Sequence, residues 1–213
     1  MSAPPRGDHG REPRRRDPER RQRILAAAAD LVAARGYHEV AMTDIGAAAG
    51  ITGSGIYRHF EGKSDVLVTM FDRVIDDLSA GAAHIAGSAA GPLDALRALI
   101  RGQISFVVAD RTLAQVYYYE IANLPPGDRQ RLRRKQRLYL DEWVRQLALL
   151  EPGTPDATLR ARVHAAIGAI QSVLQYRSGL PAPELAALIA GTAEVVLTGR
   201  SPCQAAGLPG PVS

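Results

Sequence analysis

The chain has 213 residues, 46% of them hydrophobic, a formal net charge of +4 and a single cysteine. That is long enough for one large domain or for a small one beside a larger one, and apolar enough to exclude disorder throughout. No apolar run reaches the roughly 18 residues of a membrane span, and the charged start lacks the apolar stretch of a secretory signal. Cys203 alone closes no internal disulfide, which fits a reducing, cytoplasmic setting.

The charge is unevenly placed. Residues 1–23 hold eight arginines against four acids, while the remaining 190 residues balance 18 basic against 18 acidic side chains. A basic N-terminal arm suits a nucleic-acid backbone; a solvated tail that binds nothing reads the same. Residues 1–17, rich in proline and charge, are expected to form a disordered arm. From about Pro18 the pattern turns helical: Ile24, Ala28 and Leu31 recur at i, i+4, i+7, with Leu25 and Val32 beside them, and Gly36 is the stop. Thr43 is the expected N-cap of a short second helix ending at Gly50, with Asp44 in its first turn. Thr52 or Ser54 would cap a third helix running through Phe60, and Gly62 would end it. Lys63 to about Ala80 resumes a helical stripe, followed by a small-residue stretch from Gly81 to Gly91. Helices are then expected at 92–109, 111–123, 127–150, 156–178 and 183–198, punctuated by prolines. Strand-like alternation is absent, so the fold class is all-α: a three-helix head on a larger bundle. The expected division is 18–64 for the head, 65–200 for the bundle and 201–213 for a flexible tail.

The stretch ITGSGIYRHFEGKS, residues 51–64, poses a choice between a phosphate-binding loop and a DNA-binding helix. Gly62-Lys63-Ser64 matches half of the loop pattern, but Tyr57 stands where that pattern needs glycine, and no strand precedes it. Two short helices joined at Gly50 instead make a helix-turn-helix. Ile45 and Ala49 would bury one face, with Ile51, Ile56 and Phe60 pinning the turn and second helix. Thr52, Gly53, Ser54, Gly55, Tyr57, Arg58 and His59 would then lie on or near the outward face. Donors and rings there suit phosphate oxygens and base edges. Tyr57 or His59 taken singly also reads as a half-buried packing residue.

The segment from Arg21 to about Phe71 resembles the head of the TetR family of transcriptional regulators. The matching marks are Ile24 with Ala28 and Leu31, Arg35-Gly36-Tyr37, Thr43 with Ile45, Ala48-Ala49-Gly50, and Tyr57-Arg58-His59-Phe60 with Lys63. The resemblance implies that Thr43 bonds a phosphate and that Lys63 grips the backbone. It implies that Ser54, Tyr57 and His59 touch bases or phosphates, and that Thr52 and Gly53 lie at the mouth of the groove. Because Gly53 and Gly55 offer no side chains, Thr52, Ser54, Tyr57 and Arg58 are expected to carry more of the base reading. Gly46 departs from the family's usual alanine, and Gly55 stands where a larger residue often reaches a phosphate. Two glycines weaken the recognition helix by roughly 1 kcal/mol each relative to alanine.

The resemblance also implies a homodimer on double-stranded operator DNA, paired through the last two long helices, and a small-molecule effector. Leu159, Val163, Ile167, Ile170 and Leu174 form one apolar stripe, and Leu185, Leu188, Ile189, Thr192, Val195 and Val196 another. An intramolecular bundle would show the same stripes. In the middle helices, Tyr117, Tyr118, Trp143, His164 and Gln171 are candidates for an apolar pocket with a few polar groups; aromatic residues at helical spacing also serve as core. The segment RQRLRRKQR, residues 129–137, could receive an anionic ligand such as an acyl-CoA, or could be a solvated surface. The stretches YYYE, LPPGDRQRLRRKQRLYLDEWV and YRSGLP resemble a C-terminal type common in actinobacterial regulators.

The sequence admits three function classes. A ligand-responsive repressor leads, released from its operator by a small, mainly apolar effector; an activator, or a regulator sensing an acyl-CoA-like anion, is the alternative within the family. No catalytic residue, metal or cofactor is expected, because the five histidines show no metal spacing and no nucleophile elbow or paired carboxylates stand out. A sequence-independent DNA-coating protein is the third class, and a specificity ratio near one would mark it.

Overall fold

A computed structural model describes residues 18–51 and 53–199. The arm at 1–17, Thr52, Cys203 and the tail at 201–213 lie outside the described residues. All regular structure among the described residues is helical. The head comprises α1 (Pro18–Arg35), α2 (Met42–Ala48) and α3 (Gly53–Ile56). α4 (Lys63–Ser88) leads into α5 (Pro92–Ala109), α6 (Arg111–Glu120), α7 (Pro126–Leu150), α8 (Asp156–Gln171) and α9 (Ala182–Thr198). Single 3-10 turns at Ile121–Asn123 and Ser172–Leu174 finish α6 and α8.

The helices begin where local chemistry predicts. Pro92, Pro126 and Pro183 stand in first turns, where a missing N–H costs nothing. Asp110 caps α6 by accepting from the Leu113 N–H at 3.2 Å. α4 runs unbroken through Gly81 and Gly87, against the expected break at 81–91. Val74, Ile75 and Ala82 bury its inner face, and that burial outweighs the modest propensity cost of two glycines.

One continuous hydrophobic core joins head and bundle, from Ile24 through Phe71 and Trp143 to Leu197. α4 packs along α7, and α5 along α7 and α9, while α6 lies against α1. Charged ties clamp these pairs: Arg131 holds Asp72 with two bonds of 2.6 and 2.7 Å, Lys135 reaches Asp72 and Asp76 at 2.8 Å, and Arg97 grips Glu194. Burial raises the Asp72 pKa, but the Arg131 and Lys135 bonds outweigh it and hold the carboxyl below its ordinary value.

The stripe at Leu159, Val163, Ile167, Ile170 and Leu174 is buried within the protomer against the neighbouring helices. On α9, by contrast, Leu188 and Val195 are exposed and Leu185 is half-buried. The two predicted stripes are therefore unequal: the first serves the core, and part of the second remains outside.

Candidate nucleic-acid interface and ligand cavity

The turn between α2 and α3 follows from one glycine. Gly50 takes φ +68°, the left-handed conformation that closes a helix. The Gly50 N–H then donates to the Ala47 carbonyl at 3.1 Å and the Ile51 N–H to the Gly46 carbonyl at 2.8 Å, a Schellman motif. Gly46 has its own reason. A Cβ there would stand 3.3 Å from the Ile51 carbonyl oxygen and 3.7 Å from the Ile56 Cβ, so the side chain is absent where α2 meets the chain entering α3.

Two local expectations need correction. The N-cap of α2 is Ala41, not Thr43; Asp44 supplies the capping bond by accepting from the Ala41 N–H at 3.0 Å. Thr43 is thus one residue inside α2, exposed. α3 also ends at Ile56 rather than Phe60. Residues 57–59 form a turn held by i→i+3 bonds, His59 N–H to Ile56 carbonyl at 2.9 Å among them. The glycines at 53 and 55 lower the helical drive, and Ile56 and Phe60 must both reach the core.

On this frame Thr43, Tyr57 and Arg58 are exposed and His59 is half-buried. Gly53 opens α3; the side chain of Ser54 lies outside what is described. Lys63, the first residue of α4, sits 4.4 Å above the Tyr37 ring and donates to the Tyr37 and His38 carbonyls. Two of its three N–H donors are therefore used inside the protein.

Several residues around the head escaped sequence reasoning. Arg21 stacks 4.4 Å over Phe60 and donates to the His59 carbonyl and Thr69 hydroxyl. Its spacing three residues before Ile24 puts it on the buried stripe, a signal obscured by its place in a run of arginines. Glu120 accepts from the Tyr37 N–H at 3.4 Å and from the Asn123 amide, and Asn123 Oδ1 accepts from His38 Nε2 at 3.1 Å. The end of α6 thus grips the same turn that Lys63 holds from α4.

The candidate ligand residues divide into three groups. Tyr117, Tyr118 and Gln171 line a narrow, partly open cavity with Phe106, Gln103 and Tyr139. That cavity has about 20 Å³ of free space, room for one water. His164 is exposed and lines a separate open cleft of about 300 Å³ beside Arg133 and Arg137. Gln136, Leu140, Ile167 and Gln171 line both spaces and form the wall between them. Trp143 lines neither: it is fully buried, its ring 6.2 Å from that of Tyr139.

Within the cavity Tyr139 donates to Gln103 Oε1 at 2.8 Å. Burial raises the pKa of Tyr139 and pushes that of Tyr117 up to about 12. Of the basic segment on α7, Arg131 and Lys135 are bound to α4, and Arg129 donates to the Ala122 carbonyl. Arg133 and Arg137 are exposed and rim the cleft.

A glycine-closed helix-turn-helix carried on an all-helical bundle is the architecture of a DNA-binding regulator of transcription. Its head matches the bacterial regulatory proteins of the tetR family over residues 24–70, and its body matches the tetracyclin repressor-like C-terminal domain over residues 89–174. The chain belongs to the TetR family and is a DNA-binding transcriptional regulator. It is 27% identical over 145 residues to the HTH-type transcriptional repressor KstR2 of Rhodococcus jostii, covering 68% of this chain and 70% of that protein. A crystal structure of a TetR-family regulator from Bordetella parapertussis superposes with a TM-score of 0.74 at 22% identity, covering 81% of this chain and 93% of that one. FadR from Bacillus subtilis, solved in complex with stearoyl-CoA, superposes with a TM-score of 0.71 at 20% identity, covering 84% and 98%. At these identities the two structures speak to the fold alone.

Proposed function

We propose that this regulator is a homodimeric repressor that leaves its operator when an amphiphile with an anionic head and an apolar body binds the bundle. The observation that carries the reading is the shared wall. The narrow cavity and an open cleft bearing Arg133, Arg137 and His164 share Gln136, Leu140, Ile167 and Gln171 as lining. Parting that wall would seat an anionic head among the arginines and an acyl chain inside, the class represented by the stearoyl-CoA of FadR. About 20 Å³ holds a water but not an acyl chain, so ligand entry must spread the helices and shift a population toward a different head spacing.

Residues 18–64 are assigned to DNA and 65–200 to ligand and dimer. Thr43 and His59 are assigned to phosphates; Thr52, Gly53, Ser54, Tyr57 and Arg58 to the groove. Lys63 keeps one N–H for a phosphate while two hold the Tyr37–His38 turn. Pairing is assigned to the exposed side of α9, where Leu188 and Val195 lie, with the exposed small residues Ala161, Ala165 and Gly168 of α8 permitting close approach. Half-sites should lie about 34–36 Å apart or a multiple of it. The protein acts by binding, without turnover, in the cytoplasm; no helix among the described residues is long and apolar enough to cross a membrane.

The test is fluorescence anisotropy on an operator located by footprinting. Stearoyl-CoA should release the protein from that DNA, and Arg133→Gln with Arg137→Gln should raise the concentration needed by about tenfold or more. Tight binding of stearoyl-CoA with operator affinity unchanged sinks the inducer role.

A further inference from the structure

The cavity contains one polar group that the fold leaves unanswered. Tyr117 is 7% exposed and lines the cavity, and among the described residues no group hydrogen-bonds its hydroxyl. Its neighbour is treated differently: the Tyr139 hydroxyl has Gln103 as partner. The Tyr117 ring cannot easily swing away to find one. It is held edge-on against Phe71 of α4, with centroids 5.0 Å apart, and against Phe106 of α5 at 6.5 Å. Phenylalanine would fill the same ring space without burying a lone hydroxyl, and an unsatisfied buried polar group destabilises the state that contains it. The cavity beside it has room for one water, and a ligand that takes that space must bring the acceptor itself.

We propose that the Tyr117 hydroxyl donates a hydrogen bond to a carbonyl oxygen carried by the buried part of the effector, so that the regulator separates a carbonyl-bearing chain from a plain hydrocarbon chain of the same shape. This rests on the amphiphile reading above and names the chemistry its apolar body must carry. Burial keeps the phenol protonated, so it stays a donor throughout the ordinary pH range. A site built around a hydrogen-bond donor rejects the analogue that lacks the acceptor, because the donor is then left buried and unpaired. The contact is also well placed for signalling. Tyr117 packs on Phe71, and α4 begins at Lys63, directly after the helix-turn-helix. Two sources of the carbonyl fit this chemistry: the thioester itself, or a ketone further along the chain.

The experiment uses three probes on the full chain: decanoyl-CoA, 3-oxodecanoyl-CoA and the thioether S-decyl-CoA, which has no carbonyl on its chain. Trp143, the sole tryptophan, packs against Tyr139 and reports binding by its emission. If the thioester is read, the wild type binds decanoyl-CoA at least about tenfold tighter than S-decyl-CoA. If a chain ketone is read, it prefers 3-oxodecanoyl-CoA over decanoyl-CoA by a similar factor. In either case Tyr117→Phe abolishes the preference. A variant that ranks the three probes as the wild type does overturns the proposal. If no probe binds the wild type, the amphiphile reading fails and this proposal with it; probes that bind without a preference overturn this proposal alone.

Discussion

At the scale of single residues, charge is mostly committed to structure, and Asp72 is the clearest case. It receives Arg131 and Lys135 from α7, and its folded pKa lies below the ordinary 3.8. A depressed pKa gives stability that is present above the unfolded value and is lost as pH falls through the folded one. Asp72→Asn should therefore be less stable than the wild type at neutral pH by about 1 kcal/mol, since the pair is partly exposed. That gap should close as pH falls below 3.8. Urea unfolding of both proteins along a pH series measures it, and a gap independent of pH would refute the assignment. Lys63 has a double commitment. Lys63→Ala should lower the Tm of the free protein, because the Tyr37 and His38 carbonyls lose a charged donor. It should also weaken operator and random DNA alike, reducing the salt slope by about 1 per subunit. Salt titrations on both DNAs decide this; a change of preferred sequence would make Lys63 a base reader instead.

At the scale of elements, the helix-turn-helix depends on a backbone conformation that L side chains rarely adopt. Gly50→Ala should cost about 1–2 kcal/mol, because a Cβ is strained at that left-handed φ. Denaturant unfolding should show it, and unchanged stability would mean the turn relaxes to another form. α3 shows how local signals compete. Its residues were legible as a recognition helix, yet only Gly53–Ile56 is helical. The apolar positions Ile56 and Phe60 have helical spacing, but glycines at 53 and 55 contribute little helical drive, and a turn can also deliver both side chains to the core. The opposite outcome holds in α4, where periodicity persisted through small residues. There Gly81 and Gly87 were read as a break, and long-range packing along α5 and α7 kept the helix whole.

At the scale of the whole molecule, the exposed part of α9 is the feature that a single chain leaves unfinished. Leu188 is 59% and Val195 is 39% exposed on one face, seven residues apart. If that face pairs two copies, Leu188→Glu should shift the protein toward monomer in sedimentation equilibrium at micromolar concentration. Its operator affinity should fall as the two heads lose their shared spacing. A wild type that sediments as a monomer while binding the operator would remove the dimer from the mechanism.

Sequence alone determined the order of the helices and the glycine-closed turn of the head, but neither the end of α3 nor the length of α4. Those features rest on neighbours within about one or two helical turns, so the apolar period, the prolines and Gly50 express them directly. It also marked the aromatic and basic residues of the bundle, but not their roles. Tyr117 and Trp143 look alike along the chain, yet one faces the cavity and the other is core. Arg131 and Arg133 stand two apart; the first is bound to Asp72, 59 residues away, and the second rims the cleft. Only tertiary structure decided these, because which side of a helix meets which neighbour depends on contacts between residues far apart in sequence. The wall of Gln136, Leu140, Ile167 and Gln171 exists for the same reason: α7 and α8 each supply half of it, and neither half is a site until the two helices pack.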